Sequence, residues 1–187
     1  MRKVVLKMDV SLDGFVNARD GSVDWIFDSV DDELKACIVD ILSQADVHIM
    51  GRVTYQDMAE HWPSSTDEYA PPMNEIPKVV FSKTLTEVSW KHSRLANRDI
   101  ADEISMMKQQ PGSYILAHGG ADFAQSLSRL GLIDEYRLIV HPVVLGDGMP
   151  VFKNIADSIK LKLTDTKVFN TGAILLTYQT LRNKESK

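Results

Sequence analysis

The chain has 187 residues, 44 % of them apolar and 25 % charged, and a formal net charge of −5. That length suffices for one domain with a sizeable core, so a single domain over residues 1–187 is expected. No basic run is available to neutralise phosphates, which argues against nucleic-acid or acidic-membrane partners, and the lone Cys37 excludes an internal disulfide framework.

Met1-Arg2-Lys3 leads into a strand from Val4 to Val10 that is interrupted by Lys7 and Asp9. This is neither a signal peptide nor a membrane span, so a cytoplasmic location is expected. Ser11-Leu12-Asp13-Gly14-Phe15 turns out of the strand. Residues 17–28 read as a polar loop apart from Val23, Trp25, Ile26 and Phe27. A helix is predicted after Ser29, with Asp32 three residues on as a loose capping box. Leu34, Cys37, Ile38, Ile41 and Leu42 share one face of it, which makes Cys37 a small core residue. Val47 to Met50 is a short strand holding His48 as a core histidine, and Gly51-Arg52 opens a helix that ends near Trp62-Pro63. The stretch from Pro63 to Pro77, with Pro71 and Pro72 inside it, reads as the longest irregular segment and a mobile loop. Lys78 to Phe81 is a strand, and Ile100, Ile104 and Met107 mark a helix stopped by Pro111-Gly112.

The stretch from Ser113 to Leu145 organises the rest. It offers a strand (Tyr114 to His118), then Gly119-Gly120, then a helix carrying Phe123, Leu127 and Leu130 on one face. Gly131 follows as a left-handed cap, and Glu135 to Val144 reads as a buried strand. Strand, paired glycines and helix N-terminus make an anion cradle, because backbone can approach a ligand and unpaired N–H groups point at it. The alternative is a tight turn that needs glycine for its dihedrals and binds nothing. Leu161 to Val168 and Ala173 to Thr180 form an antiparallel hairpin around Asn170-Thr171-Gly172. The alternation implies an α/β fold: a mostly parallel sheet flanked by helices, with an antiparallel edge at the C-terminus. Ligands of such sheets bind beyond the carboxyl ends of the strands, where every motif here sits.

Five segments occur in register: Ser11 to Phe15, Met50 to Tyr55, Val80 to Leu85, His118 to Ala121, and the run Gly131 to Tyr136 with Pro142 to Gly148. Together they resemble the dihydrofolate-reductase-like superfamily, closest to the branch that contains the reductase domain of the riboflavin-biosynthesis deaminase-reductase. The resemblance implies NADPH as cofactor. It places the phosphates at Gly51, Arg52 and Thr54, the adenosine 2′-phosphate at Ser82 and Lys83, and the pyrophosphate over Gly119 and Gly120. Backbone donors suit a pyrophosphate, while a guanidinium or ammonium suits the extra phosphate. Solvated surface charge is the ordinary alternative for Arg52 and Lys83.

On the substrate side, Asp32 or Glu33 stands nearest to the acid that binds the pterin ring in the folate-reducing branch. Acids in a first helical turn also complement the macrodipole, which is their ordinary explanation. Asp13 resembles the Asp-Gly beside the active cleft, or simply forms a turn. No histidine spacing suits a metal, and the zinc signature of the partner deaminase is absent. The resulting expectation is an NADPH-dependent reductase of a small heterocyclic or carbonyl substrate. Its alternatives are a binding protein of the same fold without turnover and a stand-alone riboflavin-pathway reductase. The apolar run Val143 to Phe152, and the dimeric habit of the riboflavin branch, imply a homodimer.

Overall fold

A computed structural model describes residues 1–181. In chain order the strands are β1 (Lys3–Ser11), β2 (Phe15–Ala18), β3 (Val47–Gly51), β4 (Lys78–Phe81), β5 (Ser93–Leu95), β6 (Tyr114–Ala117), β7 (Glu135–His141), β8 (Gly148–Pro150), β9 (Leu161–Val168) and β10 (Ile174–Thr180). The helices are α1 (Asp32–Ser43), α2 (Arg52–His61), α3 (Ala70–Glu75), α4 (Ile100–Gln109) and α5 (Ala121–Arg129). Eight strands form one sheet in the order β5-β4-β3-β6-β1-β7-β10-β9, while β2 and β8 pair separately. The six strands from β5 to β7 run parallel, and β10 and β9 add the expected antiparallel hairpin.

Alternate residues of β1 serve opposite faces. Val4, Leu6, Met8 and Val10 pack with Ile104 and Met107 of α4 and with Phe123 and Leu127 of α5. Val5 packs with Leu34, Ile38 and Ile41 of α1, Tyr55 of α2 and Met73 of α3. A strand buried on both sides must be apolar at successive positions, as Val4-Val5-Leu6 is. The helices after β3 and β6 therefore leave neighbouring strands for opposite faces, and that divergence opens a crevice between the strand ends.

Three local expectations are corrected. Helix α1 begins at Asp32 and is capped by Asp31, whose Oδ1 accepts from the Leu34 N–H at 2.8 Å. Ser29 does not cap it, because its hydroxyl meets His141 Nδ1 at 2.7 Å. Ser29 instead ends a 3-10 helix, Asp24–Ser29, inside the stretch read as a loop. The Pro63–Pro77 stretch is also structured. Its prolines 71 and 72 sit in the first turn of α3, where a missing N–H costs nothing. The far end of α3 is held from outside: Lys78 Nζ donates to the carbonyls of Met73, Asn74 and Ile76 at 2.9, 3.1 and 2.9 Å. Finally, β7 stops at His141, since Pro142 has no N–H for the ladder. Gly131 does take the left-handed conformation after α5, at φ 63°.

Candidate active site

Strand β6 ends at Ala117, which pairs with Leu6 of β1. Strand β1 runs on to Ser11, paired beyond that point only with β7. Lys7, Met8 and Asp9 thus border a cleft of about 650 Å³ where β6 has ended. The turns after β3 and β6 form its rim, through Gly51, Arg52, Thr54, Gly119 and Gly120. Val16 of β2, together with Val23, Ile26 and Met149, lines the rest.

The N-termini of α2 and α5 both open on this cleft. Their N-cap residues are Gly51 and Gly120, and neither helix has a side-chain cap. First-turn N–H groups there remain free to meet an anion, with two helix dipoles behind them. Thr54 ties the rims together by donating its hydroxyl to the Gly119 carbonyl at 2.6 Å. Gly120 has φ 124°, and a Cβ there would collide with Thr54 Oγ1. At Gly119 a Cβ would come within 2.7 Å of Met8 Sδ. Gly120 is therefore demanded by the fold as well as suited to a ligand, whereas at Gly119 the flexible end of Met8 can move aside.

At the foot of the cleft stands a charged cluster that inspection of the motifs did not single out. Asp9 Oδ2 accepts from Lys7 Nζ at 2.5 Å, and Asp9 Oδ1 lies 3.0 Å from His141 Nε2. Burial by itself would raise the Asp9 pKa, but the Lys7 ammonium and the two donors outweigh it and hold the acid at about 2. An ionised Asp9 keeps a proton on His141 Nε2, while Nδ1 meets the Ser29 hydroxyl. Trp25 stands edge-on to His141, with ring centroids 5.5 Å apart. The sequence did carry a signal for this cluster: two charges, two residues apart, on one face of an otherwise apolar strand.

His118 also lines the cleft. It is buried, its Nε2 has no partner, and its ring meets His48 edge-on at 4.7 Å. Burial first, then the neighbouring His48, Lys7 and Lys78, keep its pKa well below the usual histidine range, so the ring is neutral. His48 is a core histidine as expected, with Nε2 3.2 Å from the Leu42 carbonyl. Trp90 is buried and donates to Asn74 Oδ1 at 2.8 Å, away from the cleft.

The other anticipated residues fall elsewhere. Ser82 and Lys83 follow β4, beyond β3, and neither lines the cleft; Ser82 Oγ instead accepts from the Thr84 and Leu85 N–H groups. Asp32 and Glu33 occupy the exposed side of the first turn of α1, because Leu34 and Ile38 take the inward side. Glu33 there pairs with Lys167 at 3.0 Å. Asp13 takes the turn role. It accepts from Ser11 Oγ at 2.6 Å and from the Leu145 and Gly146 N–H groups, which hold its pKa low and pin the 145–146 loop to the end of β1. Among the described residues no group of three or more His, Cys, Asp or Glu side chains could hold a metal ion, and no helix is long and apolar enough to cross a membrane.

A mostly parallel sheet whose crevice receives two glycine-capped helix N-termini defines a dihydrofolate-reductase-like α/β protein. The dihydrofolate reductase of Enterococcus faecalis, solved with NADP(H), superposes over 95 % of this chain and 96 % of its own at a TM-score of 0.62 and 10 % identity. Residues 2–175 match the RibD C-terminal domain, and the chain belongs to that family. It is 33 % identical to the uncharacterized protein YyaP of Bacillus subtilis (strain 168), covering 95 % of this chain and 94 % of YyaP. Among solved structures, a Shewanella sp. PV-4 protein described as a riboflavin biosynthesis protein aligns with 96 % of this chain and 99 % of its own, at a TM-score of 0.79 and 22 % identity. A Thermotoga maritima diaminohydroxyphosphoribosylaminopyrimidine deaminase/5-amino-6-(5-phosphoribosylamino)uracil reductase aligns with 96 % of this chain and 57 % of its own, at a TM-score of 0.70 and 15 % identity.

Proposed function

We propose that this chain is an NADPH-dependent reductase that delivers a hydride to a small heterocyclic or carbonyl substrate. One observation carries the reading: two helix N-termini without side-chain caps and a partly buried ionised cluster border a single cleft at the switch point of a parallel sheet. The first-turn N–H groups that follow Gly51 and Gly120 suit a pyrophosphate, and Arg52 at the start of α2 suits a further phosphate. The bound nicotinamide would supply the hydride; the chain supplies position, exclusion of water and local charge. Family membership and the reductase named in the Thermotoga relative support the same chemistry. The homodimer belongs to this reading too. Of the apolar run Val143 to Phe152, Val144 and Phe152 remain exposed, which suits contact with a second copy.

Titration of the purified protein with NADPH and NADH, followed by cofactor fluorescence, tests the binding half. Consumption of NADPH on addition of candidate carbonyl and heterocyclic substrates tests turnover. NADPH binding without consumption of any candidate favours a binding protein of this fold, and no binding of either cofactor rejects the reading.

A further inference from the structure

The cleft is short of positive charge for a pyrophosphate. Its described lining sets the cations Lys7 and Arg52 against the acids Asp9, Asp57 and Asp122, and Lys7 is already bound to Asp9. The helix N-termini offset part of the deficit, but only as partial charges. One lining residue is able to add a full charge. His118 stands directly before the paired glycines at the end of β6, and it is buried, with no partner at Nε2. Packing alone gives no reason for a polar ring there. An unpartnered buried nitrogen destabilises the fold, and an apolar ring would make the edge-on contact with His48 equally well.

The charged and titratable groups that act on His118 are His48 from β3, Lys7 from β1 and Lys78 from β4. Together with burial they keep its imidazole neutral in the chain by itself. Arg52 and Asp57 of α2 and Asp122 of α5 border the same space. A diphosphate seated at Gly119 and Gly120 would bring negative charge beside the ring and reverse that balance.

We infer that His118 is a phosphate-binding residue that becomes cationic only with its ligand: a diphosphate at the paired glycines draws a proton from solvent onto the imidazole, and the imidazolium then holds the anion. Binding and protonation are reciprocal, so acid tightens the diphosphate and the diphosphate tightens the proton by the same factor. This deepens the cofactor reading and rests on it, since that reading puts the diphosphate in this cleft.

ADP-ribose carries a diphosphate diester that keeps its charge from pH 8 to pH 6, and it lacks both the 2′-phosphate and the nicotinamide. Titrated calorimetrically into the full chain, it should bind about three- to tenfold more tightly at pH 6 than at pH 7, with uptake of about one proton. Heats measured in two buffers of different ionisation enthalpy count that proton. His118→Asn should bind ADP-ribose with nearly the same affinity at both pH values and take up none. Should His118→Asn fail to fold, the imidazole nitrogen resonances of His118 in the wild-type protein decide. They should pass from the neutral to the protonated position as ADP-ribose is added at pH 6, and unchanged resonances overturn the inference. Binding that does not depend on pH, or a variant that keeps the wild-type pH profile, overturns it as well and leaves the cofactor reading standing. So does NADPH binding without ADP-ribose binding. Failure of both ligands to bind at either pH sinks the cofactor reading and this inference with it.

Discussion

Replacing Arg52 by alanine separates the two nicotinamide cofactors. NADPH differs from NADH by one phosphate of roughly −1.5 to −2 charge, so a preference must come from groups that pair with it. Of the four residues the family resemblance assigns around the phosphates by charge or hydroxyl, Arg52, Thr54, Ser82 and Lys83, only Arg52 and Thr54 line the cleft, and of these two only Arg52 is charged. Its Nη1 donates to Gln56 Oε1 at 2.9 Å, which leaves most of the five guanidinium donors free. A charge-assisted hydrogen bond contributes about 1.5–3 kcal/mol, and the exposure of Arg52 to water puts it at the low end. Arg52→Ala should therefore weaken NADPH about tenfold and leave NADH nearly unchanged. Lys83→Ala should change neither. The loss should shrink at high salt, because an exposed charge is screened. Fluorescence titrations of both cofactors at low and high ionic strength measure all of this. Equal weakening of NADPH and NADH would place Arg52 on the shared pyrophosphate, and a wild type that prefers NADH would refute the assignment.

Acid should destabilise the protein before its carboxylates titrate. The buried His48 is pushed down to about 4, by burial first and then by Lys78, so from pH 6.5 downward the unfolded chain binds a proton that the folded chain refuses. That costs about 2 kcal/mol by pH 5 and about 3 by pH 4, and His118 adds to it in the same direction. Denaturant unfolding at pH 7 and pH 5 should show a smaller drop for His48→Gln than for wild type; equal drops contradict the assignment. Asp9 acts in a lower window, its contribution being present above pH 3.8 and lost as pH falls toward 2. Lys78→Met strips the three carbonyls at the end of α3 of their donor and removes an ammonium 4.4 Å from the Trp90 ring centroid. A loss of about 1–3 kcal/mol is expected, read by the denaturation midpoint, and an unchanged midpoint would show those carbonyls content with water. Light scattering at micromolar concentration should return the mass of a dimer, and a monomeric mass would exclude the second copy.

The sequence by itself determined the alternation of elements, the glycine-capped turns after β3 and β6, and the C-terminal hairpin. Each of these is written in local chemistry: an apolar period, a glycine where no side chain fits, a turn-forming Asn-Thr-Gly. It did not determine which charges meet. Asp32, Glu33 and Asp13 were the acids nearest to recognisable motifs, yet helix phase turns the first two outward and backbone donors occupy the third. The acid that reaches the cleft is Asp9, and it does so because β6 ends opposite Leu6 while β1 continues. Its partner His141 arrives from β7, 132 residues away along the chain. The proline-rich stretch makes the same point in reverse. Its local composition reads as loop, but the ammonium of Lys78 closes the end of α3 and Trp90 packs beneath it. Strand length and register decide such encounters. They are fixed by how the whole sheet packs, a property that no stretch of the sequence carries alone.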